Sequence, residues 1–237
     1  DNWLGFFECD AEYLVLLFFL TRRFTELGTA HAVLQALPRV NPESDGLVLY
    51  GDVPLIKQST LASLVAAVAG RNLVVLTADV AEPGGYGRVV RGRDGVVARI
   101  VEERDADEDE KAICEVNTGF IAAPARVLSR LLERIGNDND QGEYYLTDAV
   151  SLAVDSGTPV LTHTTTDVDE VSGVNTPQQL ARLERGYQAR QAEELMHAGL
   201  CLRDPTRFDL RGTMEFGTDC MIRSEEHTSE LQSRTNL

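Results

Sequence analysis

The chain has 237 residues, enough to bury a sizeable core in one large α/β domain. Its formal net charge of −16 argues against a nucleic-acid or anionic-membrane partner, since both are polyanions. Four cysteines (Cys9, Cys114, Cys201 and Cys220) stand far apart with no C-x-x-C pair, which points to buried or free thiols in a reducing cytoplasm and away from disulfides or zinc.

Residues 1–24 show no clean period of 3.6 or 2, and their Phe-rich, acidic mixture is unlike the rest of the chain. A shifted reading frame or misassembled start would produce this; a hydrophobic strand over 13–20 is the competing reading. That run is too short to span a bilayer, and no basic segment precedes it as a signal peptide requires. From Gly28 the pattern becomes orderly. A helix is expected over 31–37, a fully buried strand over 47–50, a helix over 60–68 and a strand over 73–77, closed by the Pro83-Gly84-Gly85 turn. Residues 87–91 and 96–102 read as a hairpin around Arg93-Asp94-Gly95. The acidic run 102–110 reads as a solvated loop or helix start. Then come a strand over 115–122, an amphipathic helix over 125–135, a helix over 147–155, a strand over 159–164 and a long helix over 177–198. This alternation predicts an α/β, Rossmann-like sheet, mixed but mostly parallel, with covered faces. Residues 201–222 change character, with strand-like pieces between Asp and Gly. Residues 223–237 resemble the translation of a sequencing-library adapter and are set aside, His227 with them.

Chemistry concentrates where apolar segments end. Leu47-Val48-Leu49-Tyr50 stops at Gly51, and Asp52 follows, where open α/β sheets hold their ligands. A carboxylate there suits Mg²⁺, which takes one or two carboxylates plus substrate phosphates; the alternative is a cap for the next helix. Gly28-Thr29 precede a helix, either as an anion or base-edge site or as an ordinary N-cap by Thr29. His31 has no acidic partner in sight and reads as structural. Glu102 ends a strand in a carboxylate, and Asn117 puts an amide into a strand, where it needs a partner. Gly84-Gly85-Tyr86-Gly87 is a glycine-dense turn, Tyr145 and Thr147 lie at a helix start where Thr147 suits an N-cap, and Asn175 stands just before another helix.

Taken in order, LGTAHAVLQALP, VLYGDVPLI, PGGYGRVVR, IVEERDA, EVNTGF, NDNDQGEYYLTDAV, EVSGVNTPQQLARLER and LRDPTRFDLRGT resemble one family. It is the bacterial bifunctional N-acetylglucosamine-1-phosphate uridyltransferase/glucosamine-1-phosphate acetyltransferase family. The resemblance implies a uridyltransferase domain over 25–176, a connector helix over 177–200 and the start of a left-handed β-helix over 201–222. The reaction it implies joins UTP and N-acetylglucosamine 1-phosphate into UDP-N-acetylglucosamine and pyrophosphate. By the same resemblance Asp52 and Asn175 would hold Mg²⁺, Gly28 and Thr29 would contact uracil, and Tyr50 and Gly51 would line the nucleotide site. Gly87, Glu102 and Asn117 would hold the sugar, with Tyr145 and Thr147 closing the sugar-phosphate side. The parent would be a homotrimer that also transfers acetyl groups from acetyl-CoA, through a β-helix body expected to be missing here. One departure stands out: nothing in residues 1–24 matches the family's LAAGxGTRM phosphate loop, and Arg23 and Glu26 occupy the places of its uracil-reading glutamines. The chain as written is therefore expected to lack part of its triphosphate clamp, and a nucleotide-sugar-binding protein without turnover is the alternative function.

Overall fold

A computed structural model describes residues 14–18 and 27–223, which fall into two compact units divided after Val174. The first unit is a seven-stranded sheet with helices on both faces. Its elements are β1 (Leu14–Phe18), α1 (Thr29–Ala36), β2 (Asp45–Tyr50), α2 (Gln58–Val68), β3 (Leu73–Asp79), β4 (Gly87–Arg91) and β5 (Val97–Val101). There follow α3 (Glu108–Lys111), β6 (Glu115–Pro124), α4 (Ala125–Leu132), α5 (Asp148–Asp155) and β7 (Val160–Thr165).

The main path runs β1-β2-β6-β3-β7, with the β4–β5 hairpin attached to β6. β1 pairs parallel with β2, and β3 parallel with β7, whereas β6 is antiparallel to β2, β3 and β4. Four strands of that path thus point one way and β6 opposes them, so the sheet is mixed as expected. It is not mostly parallel in its pairing, because β6 sits at the centre and the β4–β5 hairpin adds antiparallel bonds, leaving two of six strand pairings parallel. The strand expected over 13–20 as the competing reading is present as β1, at the edge of the path; the rest of 1–26, with Cys9, lies outside the described residues, as does 224–237.

Alternation along the strands divides the core between the two faces, because successive side chains point to opposite sides. Val48, Leu73, Val75, Ile121 and Ala123 pack under α1, α4 and α5 with Val33, Leu128 and Val150. Leu47, Leu49, Val74, Leu76 and Ala122 face the other way and pack with Leu64 and Val68 of α2. Strands buried on both faces read as continuous apolar runs, which is why 47–50 and 73–77 are legible as strands. The acidic run resolves into the start of α3, where Asp107 and Glu110 form a reciprocal capping box.

In the second unit, Thr176 and Gln179 form a capping box that opens α6 (Pro177–His197), with Pro177 in the first turn. Buried Gln188 of α6 donates from Nε2 to the Leu210 carbonyl (3.2 Å) and accepts the Leu210 N–H (2.7 Å). β8 (Cys201–Leu202) and β9 (Met221–Ile222) pair in parallel, and Ala192, Leu200 and Leu202 gather Phe208, Met214, Phe216 and Ile222 around them. Cys114 and Cys201 are exposed and Cys220 half-buried, and all three are free, the second of the two alternatives expected of them. Cys220 packs against the Ala192, Leu200 and Leu202 cluster.

Candidate active site

The segment 27–30 is laced to 144–147. Tyr144 N–H donates to the Leu27 carbonyl (2.7 Å), Ala30 N–H to the Tyr144 carbonyl (2.9 Å), and Leu146 N–H to Thr29 Oγ1 (3.0 Å). Gly28 makes this approach possible. Its φ is +100°, and a Cβ there would lie 2.5–2.9 Å from three backbone atoms of Tyr144. The expected cap is corrected: Gly28 occupies the N-cap position of α1, and the Thr29 hydroxyl serves the distant Leu146. Thr147 departs from its local reading in the same way. It stands at the N-cap position of α5 with helical backbone angles and no capping bond, and its hydroxyl donates to Glu102 Oε1 at 2.8 Å. Tyr145 is buried, its hydroxyl accepting from Gln141 Nε2 at 2.9 Å.

Glu102, just past β5, faces the first residue of β4. A Cβ on Gly87 would meet Ile100 Cγ2 at 3.1 Å, a tight contact, and Glu102 Oε2 at 3.4 Å, so Gly87 lies directly against the carboxylate. Gly87 is in register with Asn117 of β6, whose Oδ1 accepts the Gly119 N–H (3.1 Å), the partner its strand position demands. Gly119, with φ +92°, would drive a Cβ to 2.6 Å from the Tyr50 ring, and Tyr50 meets Phe120 edge-on at 6.3 Å. The structure therefore links Gly28, Thr29, Tyr145, Thr147, Glu102, Gly87, Asn117 and Tyr50 through contacts and strand register.

The electrostatics are acidic. Burial holds the Glu102 carboxyl above the ordinary carboxylate range; the Thr147 hydrogen bond opposes this, and Asp148 and Asp105 reinforce it. Burial, with Asp105, also raises Asp148. Burial and the Glu102 charge push the Tyr50 phenol up to about 12 against a hydrogen bond with Thr29, and burial raises Tyr145. Such a surface offers acceptors to sugar hydroxyls, and calls for a cation wherever phosphates are to sit beside it.

Gly51 and Asp52 are exposed in the turn after β2, where Val53 N–H donates to the Tyr50 carbonyl (3.3 Å). The helix-capping alternative for Asp52 is overturned: α2 starts at Gln58 behind Lys57 and has no side-chain cap. The Asp52 carbonyl instead accepts the Val174 N–H at 2.8 Å, at the end of the first unit. Asn175, the next residue, opens the second unit, exposed and with its N–H on Gln179 Oε1 at 2.7 Å. Among the described residues no group of three or more His, Cys, Asp or Glu side chains could cage a metal. Mg²⁺ needs no such cage, because phosphate oxygens and water complete its shell around one or two protein oxygens; an exposed carboxylate at a strand end fits it. The His31 ring meets the Gln35 side chain one turn on, Nε2 to Nε2 at 3.4 Å, in keeping with a structural role. It also lines a separate cavity of about 240 Å³ with Leu27, Ala30, Leu34 and Leu132, which contains none of the expected site residues.

Glu170 had no signal in the sequence. It is 2% exposed, in the 3₁₀ turn Val168–Val171, and its carboxylate accepts from Thr60, Thr165 and the Lys57 N–H.

The sequence pattern of the family described as nucleotidyl transferase matches residues 11–182. The chain belongs to this family. Several proteins are similar to it over most of its length. The bifunctional protein GlmU of Cellvibrio japonicus is 49% identical over 197 residues, 83% of this chain and 44% of that protein. GlmU of Azotobacter vinelandii is 52% identical over 197 residues, 83% and 43%, and GlmU of Paracidovorax citrulli 51% over 196 residues, 83% and 41%. The chain thus spans less than half the length of these curated relatives. Among the described residues no helix is long and apolar enough to cross a membrane.

Proposed function

We propose that the first unit is a uridyltransferase site that forms UDP-N-acetylglucosamine, a precursor of bacterial cell-wall polymers, in the cytoplasm. The observation that supports this reading is the lacing of Gly28-Thr29 to Tyr145-Thr147 and on to Glu102, five of the residues the family resemblance names. In the reaction, an oxygen of the N-acetylglucosamine 1-phosphate attacks the α-phosphorus of UTP. A new P–O bond forms there, the bond to the bridging oxygen of the β-phosphate breaks, and pyrophosphate leaves with that electron pair.

The protein's task is positioning and charge balance. Gly28 and Thr29 meet the uracil edge, and Tyr50 and Gly51 line the nucleotide beside it. Glu102 accepts from sugar hydroxyls, with Gly87 and Asn117 flanking it; Thr147 orients the carboxylate, and Tyr145 closes the sugar-phosphate side. Asp52 and Asn175 would hold Mg²⁺, which when bound neutralises phosphate charge. The parallel β8–β9 pair and its apolar cluster support reading 201–222 as the first coil of a β-helix after a connector helix over 177–200. Acetyl transfer and trimer formation belong to that further domain.

The test is pyrophosphate release by the purified chain from UTP and N-acetylglucosamine 1-phosphate with Mg²⁺, against a panel of sugar phosphates and CTP. Turnover restricted to the named pair supports the reading. Tight binding of UDP-N-acetylglucosamine without turnover would make this a nucleotide-sugar-binding protein, and preference for another sugar or base would displace the substrate assignment.

A further inference from the structure

We infer that Glu170 is a positioning residue for Asp52, pinning through one buried carboxylate the far end of the loop that carries it. The inference rests on the proposed role of Asp52 as a metal ligand. The loop from β2 to α2 begins beside Asp52 and ends at Lys57. At its start the Asp52 carbonyl accepts the Val174 N–H (2.8 Å), and at its end the Lys57 N–H donates to Glu170 Oε2 (3.4 Å). Both ends are therefore bonded to the single stretch 170–174.

The same oxygen of Glu170 accepts from Thr60 Oγ1 in the first turn of α2 (2.9 Å), and Oε1 accepts from Thr165 Oγ1 at the end of β7. Three donors from three elements converge on a side chain that is 2% exposed. The α2 N-terminus, which lacks a cap of its own, receives this carboxylate at its positive end. Lys57 adds an ion pair from Nζ to Asp167 at 2.6 Å, and Val53 and Val171 share one core cluster. Buried charge is costly to leave without donors, so a group this well supplied holds its neighbours in one geometry. An apolar residue at 170 would fill the space but leave the Lys57 N–H and both threonine hydroxyls unpaired.

The experiment compares the full chain with Glu170→Gln and with the milder Thr60→Val, which keeps the carboxylate and removes one donor. Two readouts are taken: hydrogen exchange of the 51–57 amides, and Mn²⁺ affinity by electron paramagnetic resonance in the presence of UDP-N-acetylglucosamine. The expected result is exchange about five- to ten-fold faster in that loop, with β3 and β6 unchanged. Mn²⁺ binding should weaken by about ten-fold, the lower end for losing a group that orients a ligand. Should Glu170→Gln fail to fold, Thr60→Val decides. Unchanged loop exchange, or faster exchange with unchanged Mn²⁺ affinity, would overturn the inference. Absence of Mn²⁺ binding by the unaltered chain would instead overturn the functional reading and remove the site that Glu170 is inferred to position.

Discussion

Replacing Gly28 by alanine separates two penalties that the structure lets one count. The first is conformational: φ is +100° at Gly28, a region that costs a non-glycine residue about 1–3 kcal/mol. The second is steric. The added Cβ would stand 2.5 Å from the Tyr144 carbonyl oxygen and 2.7 Å from its nitrogen, and backbone cannot swing aside as a side-chain tip can. Relief requires 27–30 and 144–146 to part, which breaks the Tyr144-to-Leu27 and Ala30-to-Tyr144 bonds. Each lost bond costs about 0.5–1.5 kcal/mol, so the total comes to about 2–6 kcal/mol. That is a large share of a typical domain's stability of about 5–15 kcal/mol. The assay is urea denaturation followed by far-ultraviolet circular dichroism. Gly85→Ala serves as control, because Gly85 has φ +87° but nothing within 4 Å of a Cβ, and so carries the conformational term alone. If Gly28→Ala costs no more than Gly85→Ala, the lacing of the two segments does not hold the site together and the reasoning is refuted.

Three further outcomes are expected. Thr147→Val removes the donor that opposes the burial of Glu102, so the Glu102 carboxyl should titrate still higher, read by carboxyl ¹³C chemical shifts; an unchanged titration would break the link. Because the Glu102 carboxyl lies above its ordinary value of 4.5 in the folded chain, the folded state binds the proton more tightly. Stability contributed by Glu102 is therefore present at low pH and lost as pH rises through the folded value; the melting temperature relative to Glu102→Gln should fall from pH ~4 to ~7, and a flat difference would contradict the burial argument. Asp52→Asn should abolish turnover while leaving the melting temperature within a degree or two, since Asp52 is exposed and its side chain caps no helix; residual turnover near the original rate would remove it from the site.

Much of the scaffold was legible because it is locally encoded. The runs at 47–50 and 73–76 are apolar because both faces of the sheet are covered, and the Asp-Gly pair marks the turn between β4 and β5, where Gly95 takes φ +78°. The direction of β6 was not legible: a continuous apolar strand reads the same whichever way it runs. The two threonines misled for a related reason. Thr29 and Thr147 each sit where a helix starts, and a threonine there looks the same whether it caps its own helix or serves a partner 117 or 45 residues away. Glu170 is harder still, since its donors Thr60 and Lys57 lie 110 and 113 positions off and no local pattern announces a buried carboxylate. The atoms that forbid a Cβ at Gly28 and Gly119 belong to Tyr144 and Tyr50, which only the fold brings near.

β6 also governs how this unit can come into being. β2 and β3 succeed one another along the chain, yet neither bonds to the other; each borders β6, which is synthesised well after both. While the polypeptide emerges from the ribosome, two strands of almost wholly apolar side chains wait with open backbone edges until Pro124 has cleared the exit. The centre of the sheet thus closes late, by insertion of a strand between two earlier ones, and not by zipping from one end. Such distant pairings put refolding on the order of milliseconds to seconds, and the far edge of β3 stays open longer still, until β7 follows β6 out.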